Sequence, residues 1–244
     1  MNIFNIHIEF DSEVFCKTVE NFIAGKQKAY VCVVDANVLT MAQKHPDYRK
    51  IVNEADINTC DGSSITKMAN TIYGTHYKVF TGPELFAHYI EKPYRHILVG
   101  NTPSKVAQVR EKVLANTGTD ANITHIELPF CHVDDFDYEG IAKQINDLCP
   151  DFVWVSLGAP KQEIFISKIF PYINQGVLFA IGAAFNFYTG DYYSSKKEIC
   201  GVRMIWLGRI FKEPKKQLKR VGKFILIMPR IFFAEKRRAR AKLK

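Results

Sequence analysis

A carboxylate beside the start of a helix can take a proton from a neighbouring hydroxyl, and Asp61 is placed to do so. It stands in the run Cys60-Asp61-Gly62-Ser63-Ser64, and Ile65, Met68, Ala69 and Ile72 continue that run as an apolar stripe at helical spacing. Two readings stay open. The carboxylate caps the helix, worth about 1 kcal/mol, or, set beside a ligand, it is a general base. A second concentration of chemistry is the stretch Phe152 to Gln162, FVWVSLGAPKQ. Its first half has the β-branched and aromatic composition of a strand. Gly158 permits a tight turn, and Pro160 suits the first turn of a helix. That helix opens with Lys161, Gln162 and Glu163 and is expected to turn Ile164, Phe165, Ile169 and Phe170 inward. A strand, a tight turn and a helix N-terminus direct free backbone N–H groups at an anion or a carbonyl. The same charged turn would also serve solubility alone.

Further polar groups recur where strands give way to helices. Asp35 and Asn37 follow the apolar run Tyr30 to Val34 and precede Val38, Leu39, Thr40, Met41 and Ala42, a helix expected to end near His45-Pro46. Thr81-Gly82-Pro83-Glu84 follows a strand expected at Tyr77 to Phe80. Gly100-Asn101-Thr102-Pro103 follows one at His96 to Val99. The latter lacks the dinucleotide fingerprint and indicates only a phosphate or ribose contact at a helix end. Asp135 and Asp137, a D-x-D spacing after a strand expected at Thr124 to Leu128, would either hold a divalent metal carrying a diphosphate or cap the helix from Tyr138 to Leu148.

The elements that must position these groups alternate. A short edge strand is expected at residues 3 to 9, and a helix capped by Ser12 to about Ala24. A last strand is expected from Val177 to Ile181, followed by a small-residue and aromatic loop, Gly182 to Gly190, that includes Asn186. Strand–helix alternation predicts an α/β fold, a mostly parallel Rossmann-like sheet with helices on both faces.

Composition sets the bounds. The chain has 244 residues, 47% of them apolar, enough for a sizeable core. Six scattered cysteines without C-x-x-C spacing argue against a zinc ribbon and for free thiols in a reducing compartment. MNIFNIHIEFDSE does not read as a signal peptide, and no uncharged apolar stretch is long enough for an ordinary transmembrane span. The net charge of +8 conceals a division. Residues 196–244 hold 17 Lys or Arg against 3 Glu, a net of +14, whereas residues 1–195 carry a net of −6. We therefore divide the chain into an α/β core, 1–195, and a basic helical appendage, 196–244. In the appendage Met204, Trp206, Leu207 and Ile210 form one apolar face. Leu218, Val221, Ile225 and Met228 repeat at spacings of three or four among lysines and arginines, until Pro229 is expected to kink or end the helix. A basic helix with bulky apolar residues fits a bilayer interface. Packing on the core is the plainer account. Nucleic acid has no need of Phe224-Ile225-Leu226-Ile227 or Phe232-Phe233. The segment can pack in cis or across a homo-oligomer.

Taken together, from about Val34 to Arg220 the chain resembles the bacterial WecG/TagA/CpsF glycosyltransferases. The resemblance is carried by Asn37, Asp61-Gly62, Thr81-Gly82, LGAPKQE ending at Glu163, AFNFYTG ending at Gly190, Trp206, Arg209 and Glu213-Pro214. It implies inverting transfer of a sugar from a UDP-sugar to a polyprenyl-diphosphate-linked sugar at the cytoplasmic face of the membrane, without a required metal or other cofactor. Donors in the family are N-acetylmannosamine, its uronic acid or glucose, and products are teichoic acid, enterobacterial common antigen or exopolysaccharide. The resemblance makes Asp61 the base. It makes Asp35, Asn37, Thr40, Thr81, Gly82, Gly100, Asn101, Gly158, Lys161, Gln162, Glu163 and Asn186 candidate donor-binding residues in the core. Arg203, Arg209 and Arg220 are the candidates in an appendage that closes over the site and docks on the membrane. The chain departs from the family pattern at Asp35 (usually Thr), Cys60 (usually Ala), Ser194-Ser195-Lys196 (usually Arg-Ala-Pro) and Arg203-Met204-Ile205 (usually Gly-Leu-Glu), and Arg203 is a candidate replacement for a missing cation. The alternatives are a metal-dependent nucleotide-sugar enzyme using Asp135 and Asp137, and an inactive basic adaptor on membrane or nucleic acid.

Overall fold

The computed structural model describes residues 1–192, 198–199, 202–203 and 214–241. Its centre is a six-stranded sheet made of β3 (Lys28–Val34), β4 (Ile57–Cys60), β5 (His96–Val99), β6 (Ile123–Ile126), β7 (Phe152–Val155) and β8 (Gly176–Ala180). The spatial order is β4-β3-β8-β7-β5-β6, and every pairing is parallel. Central strands covered on both faces read as unbroken apolar runs, and β3, β7 and β8 are buried almost throughout.

Successive residues of β3 supply opposite faces. Cys32 and Val34 enter one buried cluster, and Val31 and Val33 enter the other. The first cluster is covered by α2 (Ala36–Lys44), α3 (Pro46–Asn53), α4 (Ser63–Tyr73), α7 (Tyr138–Asp147) and α8 (Lys161–Ile169). The second is covered by α1 (Ser12–Ala24), α5 (Gly82–Ile90), α6 (Pro103–Thr117) and α9 (Ala184–Tyr188). The result is a mixed α/β fold with a parallel central sheet flanked by helices.

Several local expectations are corrected. Residues 3 to 9 form no single edge strand. β1 (Asn2–Ile3) and β2 (Ile6–His7) make a small antiparallel hairpin, and Glu9 alone bridges to Thr59 at the sheet edge. The cap of α1 is Asp11 rather than Ser12, because the Asp11 carboxylate accepts from the Glu13 and Val14 N–H groups. Tyr77 to Phe80 joins no strand. The Asn70 side chain bonds both the N–H and the C=O of Tyr77, which removes the groups a ladder would use. The loop expected at Gly182 to Gly190 contains the short helix α9. Pro160 precedes the first turn of α8 as its N-cap, after a cis Ala159–Pro160 bond. On α8 the buried residues are Gln162, Glu163, Phe165, Ile166 and Ile169, so two polar residues join the buried face, while the expected Ile164 and Phe170 are half-buried against the core.

In the basic segment, β9 (Glu198–Ile199) pairs antiparallel with β10 (Val202–Arg203), and α10 (Pro214–Ala241) runs 28 residues. The expected apolar face at Met204, Trp206, Leu207 and Ile210 lies outside the described residues. Pro229 sits within α10 and does not end it. It lies on the exposed side, where the carbonyl it leaves unpaired can meet water. The apolar repeat divides. Met228 packs half-buried against the core beside Phe224 and Ile231, with Gln217, Glu235 and Ala239 also buried, whereas Leu218, Ile225, Leu226 and Phe233 are exposed. Glu235 fastens the helix, accepting from the Phe4 N–H at 3.0 Å and the Tyr73 hydroxyl at 2.5 Å. Among the described residues no helix is long and apolar enough to cross a membrane.

Candidate active site

Loops that leave neighbouring parallel strands toward opposite faces open a crevice at the strands' carboxyl ends. β3 leads into α2 on one face, while its neighbour β8 leads into α9 on the other. A cavity of about 270 Å³ lies there.

From β3 and β4 come Asp35, Asn37 and Asp61. Asp35 Oδ1 accepts from the Asn37 and Val38 N–H groups at 2.9 and 2.8 Å, so this carboxylate caps α2 at the cavity wall. Asp61 stands one residue before Gly62, the N-cap residue of α4. Its Oδ1 accepts from the Gly82 N–H at 2.8 Å, at the start of α5. The backbone of one helix thereby fixes a carboxylate that leads another.

The opposite wall comes from β5, β7 and β8. Asn101, in a left-handed conformation at φ 63, donates Nδ2 to Ser156 Oγ at 3.1 Å, and that hydroxyl donates to the Gly182 carbonyl at 2.6 Å. Gly158, at φ 78, takes a backbone conformation that a side chain would strain. Its N–H donates to Gln162 Oε1 at 2.9 Å, and Gln162 Nε2 donates to Glu163 Oε1 at 2.9 Å. Glu163 is wholly buried, and burial raises its carboxyl to about 7. Its Oε2 and the Tyr48 hydroxyl make no hydrogen bond of good geometry, although Tyr48 faces the carboxyl closely enough to lower its pKa against that burial.

Asn186 and Tyr192 line the cavity from α9 and the turn after it. That turn is tied to α6 through Lys105, which reaches Thr189 Oγ1 at 3.0 Å and forms an ion pair with Asp191. From the basic segment α10 brings Gln217 and Arg220 to the same cavity. One end of the most basic helix therefore meets the polar end of the sheet.

The other predicted residues lie apart from the cavity lining. Thr40 is buried and donates to the Ala36 carbonyl within its own helix. Thr81 forms a capping box with Glu84. Gly82 reaches the site through its N–H on Asp61, and Gly100 shapes the backbone before Asn101 at φ 77. Lys161 donates to the Cys131 carbonyl at 2.5 Å and sits 4.8 Å from the Phe136 ring centre. Glu163 reaches the site through its hydrogen bond from Gln162. Arg203 is described only by its backbone pairing with Glu198, and Arg209 lies outside the described residues. Asp137 caps α7 by accepting from Gly140 N–H at 2.9 Å, and Asp135 ends a 3₁₀ turn. Among the described residues no group of three His, Cys, Asp or Glu side chains could hold a metal ion.

Ser156, Tyr192 and Gln217 also line the cavity, beyond the residues expected from sequence. Ser156 continues the composition of a strand, and Gln217 carries no signal beside its neighbouring lysines.

A model of the Glycosyl transferase WecG/TagA/CpsF family matches residues 1–242. An N-acetylglucosaminyldiphosphoundecaprenol N-acetyl-beta-D-mannosaminyltransferase of Staphylococcus aureus (strain MW2) is 22% identical, covering 97% of this chain and 92% of that protein. A protein of the same name from Bacillus spizizenii is 24% identical over 84% of this chain and 80% of its own length.

Proposed function

Because the chain belongs to the WecG/TagA/CpsF family of glycosyltransferases, we propose that it moves a sugar from a UDP-sugar to a polyprenyl-diphosphate-linked sugar, with inversion at the transferred carbon. The relatives' names point to an N-acetylmannosamine-like donor and a lipid-diphosphate-linked N-acetylglucosamine acceptor. The observation that carries the reading is Asp61. Its carboxylate lines a polar cavity at the carboxyl ends of the strands and is held there by the Gly82 N–H.

In this mechanism Asp61 accepts the proton of the acceptor hydroxyl as that oxygen attacks C1 of the donor sugar. The bond from C1 to the UDP oxygen breaks, and the electron pair leaves with UDP. Base catalysis of this kind is worth roughly 10²–10⁴-fold. Charge building on UDP needs N–H donors and cations. Asn101, Gln162 and Arg220 stand on the cavity wall for that purpose. The reaction requires no metal in this reading, and Asp137 serves as the N-cap of α7.

The chain is read as a Rossmann-like catalytic core, residues 1–195, and a basic appendage, residues 196–244, that docks on the anionic cytoplasmic face of the cell membrane. The exposed row Leu218, Ile225, Leu226 and Phe233 on α10 is the surface that would enter the bilayer interface. Bringing Arg220 to the cavity from the membrane-facing helix also lets docking close the site against water. The products belong to cell-surface polysaccharide synthesis.

The test is UDP release from a panel of UDP-sugars, with and without a short-chain polyprenyl-diphosphate-GlcNAc analogue. Release with one donor that rises sharply on adding acceptor supports a transferase and identifies its donor. Absence of release across the panel, in folded protein, overturns the reading.

A further inference from the structure

Glu163 is a carboxyl group in an unfavourable place. It is 0% exposed, and desolvation is the largest influence on it. The groups that act on it are Gln162, its own backbone N–H, Tyr48 and the like-charged Asp35, none of them a cation. An apolar side chain of similar length would fill the same space without that desolvation cost. What a carboxyl supplies and an apolar chain cannot is an acceptor lone pair, and the donor that uses it at Oε1 is Gln162 Nε2 at 2.9 Å.

Gln162 is held at both ends of its amide. Its Oε1 accepts from the Gly158 N–H at 2.9 Å, so a flipped amide would set N–H against N–H. On another side stands Gly182, where an added Cβ would come within 3.4 Å of Gln162 Oε1. Gln162 is 4% exposed and still lines the cavity. One Nε2 hydrogen goes to Glu163, which leaves the second as the hydrogen the amide can offer a ligand.

We propose that Glu163 is a positioning residue: by accepting one Nε2 hydrogen, it locks the Gln162 amide so that the other is presented to the diphosphate of the donor nucleotide. It touches no substrate and acts only through Gln162. The inference rests on the nucleotide-sugar reading of the cavity, and the experiment separates the two.

UDP affinity is measured by titration calorimetry for wild type, Q162A, E163M, E163D, E163Q and the double variant Q162A/E163M. Q162A should weaken UDP about tenfold, the scale of a hydrogen bond to a charged group. E163M removes the acceptor and should weaken UDP to a similar degree. E163D keeps the charge but withdraws the acceptor by one methylene, and it should behave like E163M. E163Q loses the charge but keeps an oxygen at the same reach, and it should bind UDP nearly as wild type does. In the Q162A background E163M should add no further loss, because interacting residues are non-additive. A full additional loss there would overturn the positioning role, as would an E163D that binds normally beside an E163Q that does not. If E163M does not fold, the contrast between E163Q and E163D decides. UDP affinity unchanged in Q162A overturns the placing of the diphosphate at Gln162. A loss in Q162A with none in E163M or E163D overturns the positioning inference alone.

Discussion

The carboxylate of Asp61 accepts a hydrogen bond from the backbone N–H of Gly82 across 2.8 Å, joining residues 21 apart in the chain. One oxygen is thereby held by the first turn of α5, and the side chain is aimed from the end of β4 into the cavity. An asparagine at position 61 can keep that bond through its own carbonyl oxygen while losing the ability to take a proton. Asp61→Asn should therefore lower kcat by roughly 10²–10⁴-fold with UDP affinity retained. Steady-state kinetics with calorimetric UDP binding checks this, and near-normal turnover would remove Asp61 from the role of base.

Arg220 reaches the cavity from α10, the helix that also carries the exposed apolar row. A guanidinium on a diphosphate makes charge-assisted bonds, worth roughly 1.5–3 kcal/mol. Arg220→Ala should weaken UDP about 10- to 100-fold and leave the melting temperature near that of wild type. An unchanged affinity would detach α10 from donor binding.

Burial raises the Glu163 carboxyl from 4.5 to about 7. The folded state therefore holds a proton that the unfolded chain has released, and stability falls as pH rises across that window. The contribution is complete below pH 4.5, is lost by about pH 7, and amounts to on the order of 3 kcal/mol. His96 acts oppositely, since burial lowers it from 6.5 to about 4 and its contribution is lost as pH falls through that range. The two slopes overlap, so the informative quantity is the difference between wild type and E163Q. Urea unfolding at several pH values should show wild type losing stability relative to E163Q up to about pH 7 and no further change above it.

The two sides of α10 should separate under mutation. Leu226 is 81% exposed, and Phe224 is 6% exposed within the core cluster. Leu226→Asp should lower binding to phosphatidylglycerol-containing vesicles severalfold, with an unchanged melting temperature. Phe224→Ala should instead destabilise the fold by roughly 3 kcal/mol. Vesicle co-sedimentation and thermal melts of both variants provide the check. Equal vesicle binding by Leu226→Asp and wild type would contradict interfacial docking of this face.

Asp137 accepts from the Gly140 N–H and caps α7. Asp137→Ala should cost about 1 kcal/mol of stability and leave transfer activity intact, and activity should survive EDTA. Strict dependence on Mg²⁺ or Mn²⁺ would return the D-x-D pair to the chemistry.

The sequence by itself determined the layered α/β class and the placing of polar groups at the strand ends. Those signals are local: β-branched runs such as Tyr30 to Val34, the Gly158–Pro160 turn, and polar groups where a strand stops. The charge division at residue 196 was equally legible, because it needs only counting. What the tertiary structure decided depends on contacts between distant parts of the chain. Asp61 read equally as a helix cap or a general base, and its Gly82 partner, supplied by α5, was not legible. Glu163 read as part of a ligand-binding or merely solubilising charged turn, yet α8 buries it beside Tyr48 of α3. Tyr77 to Phe80 has a strand's composition, but the Asn70 side chain takes the hydrogen bonds of Tyr77. On α10 both stripes are apolar at helical spacing, and only packing against the core selects Phe224 and Ile231 for burial and leaves Leu218 and Ile225 in solvent. Spacing reports that a helix has faces, and the neighbours it meets determine what each face does.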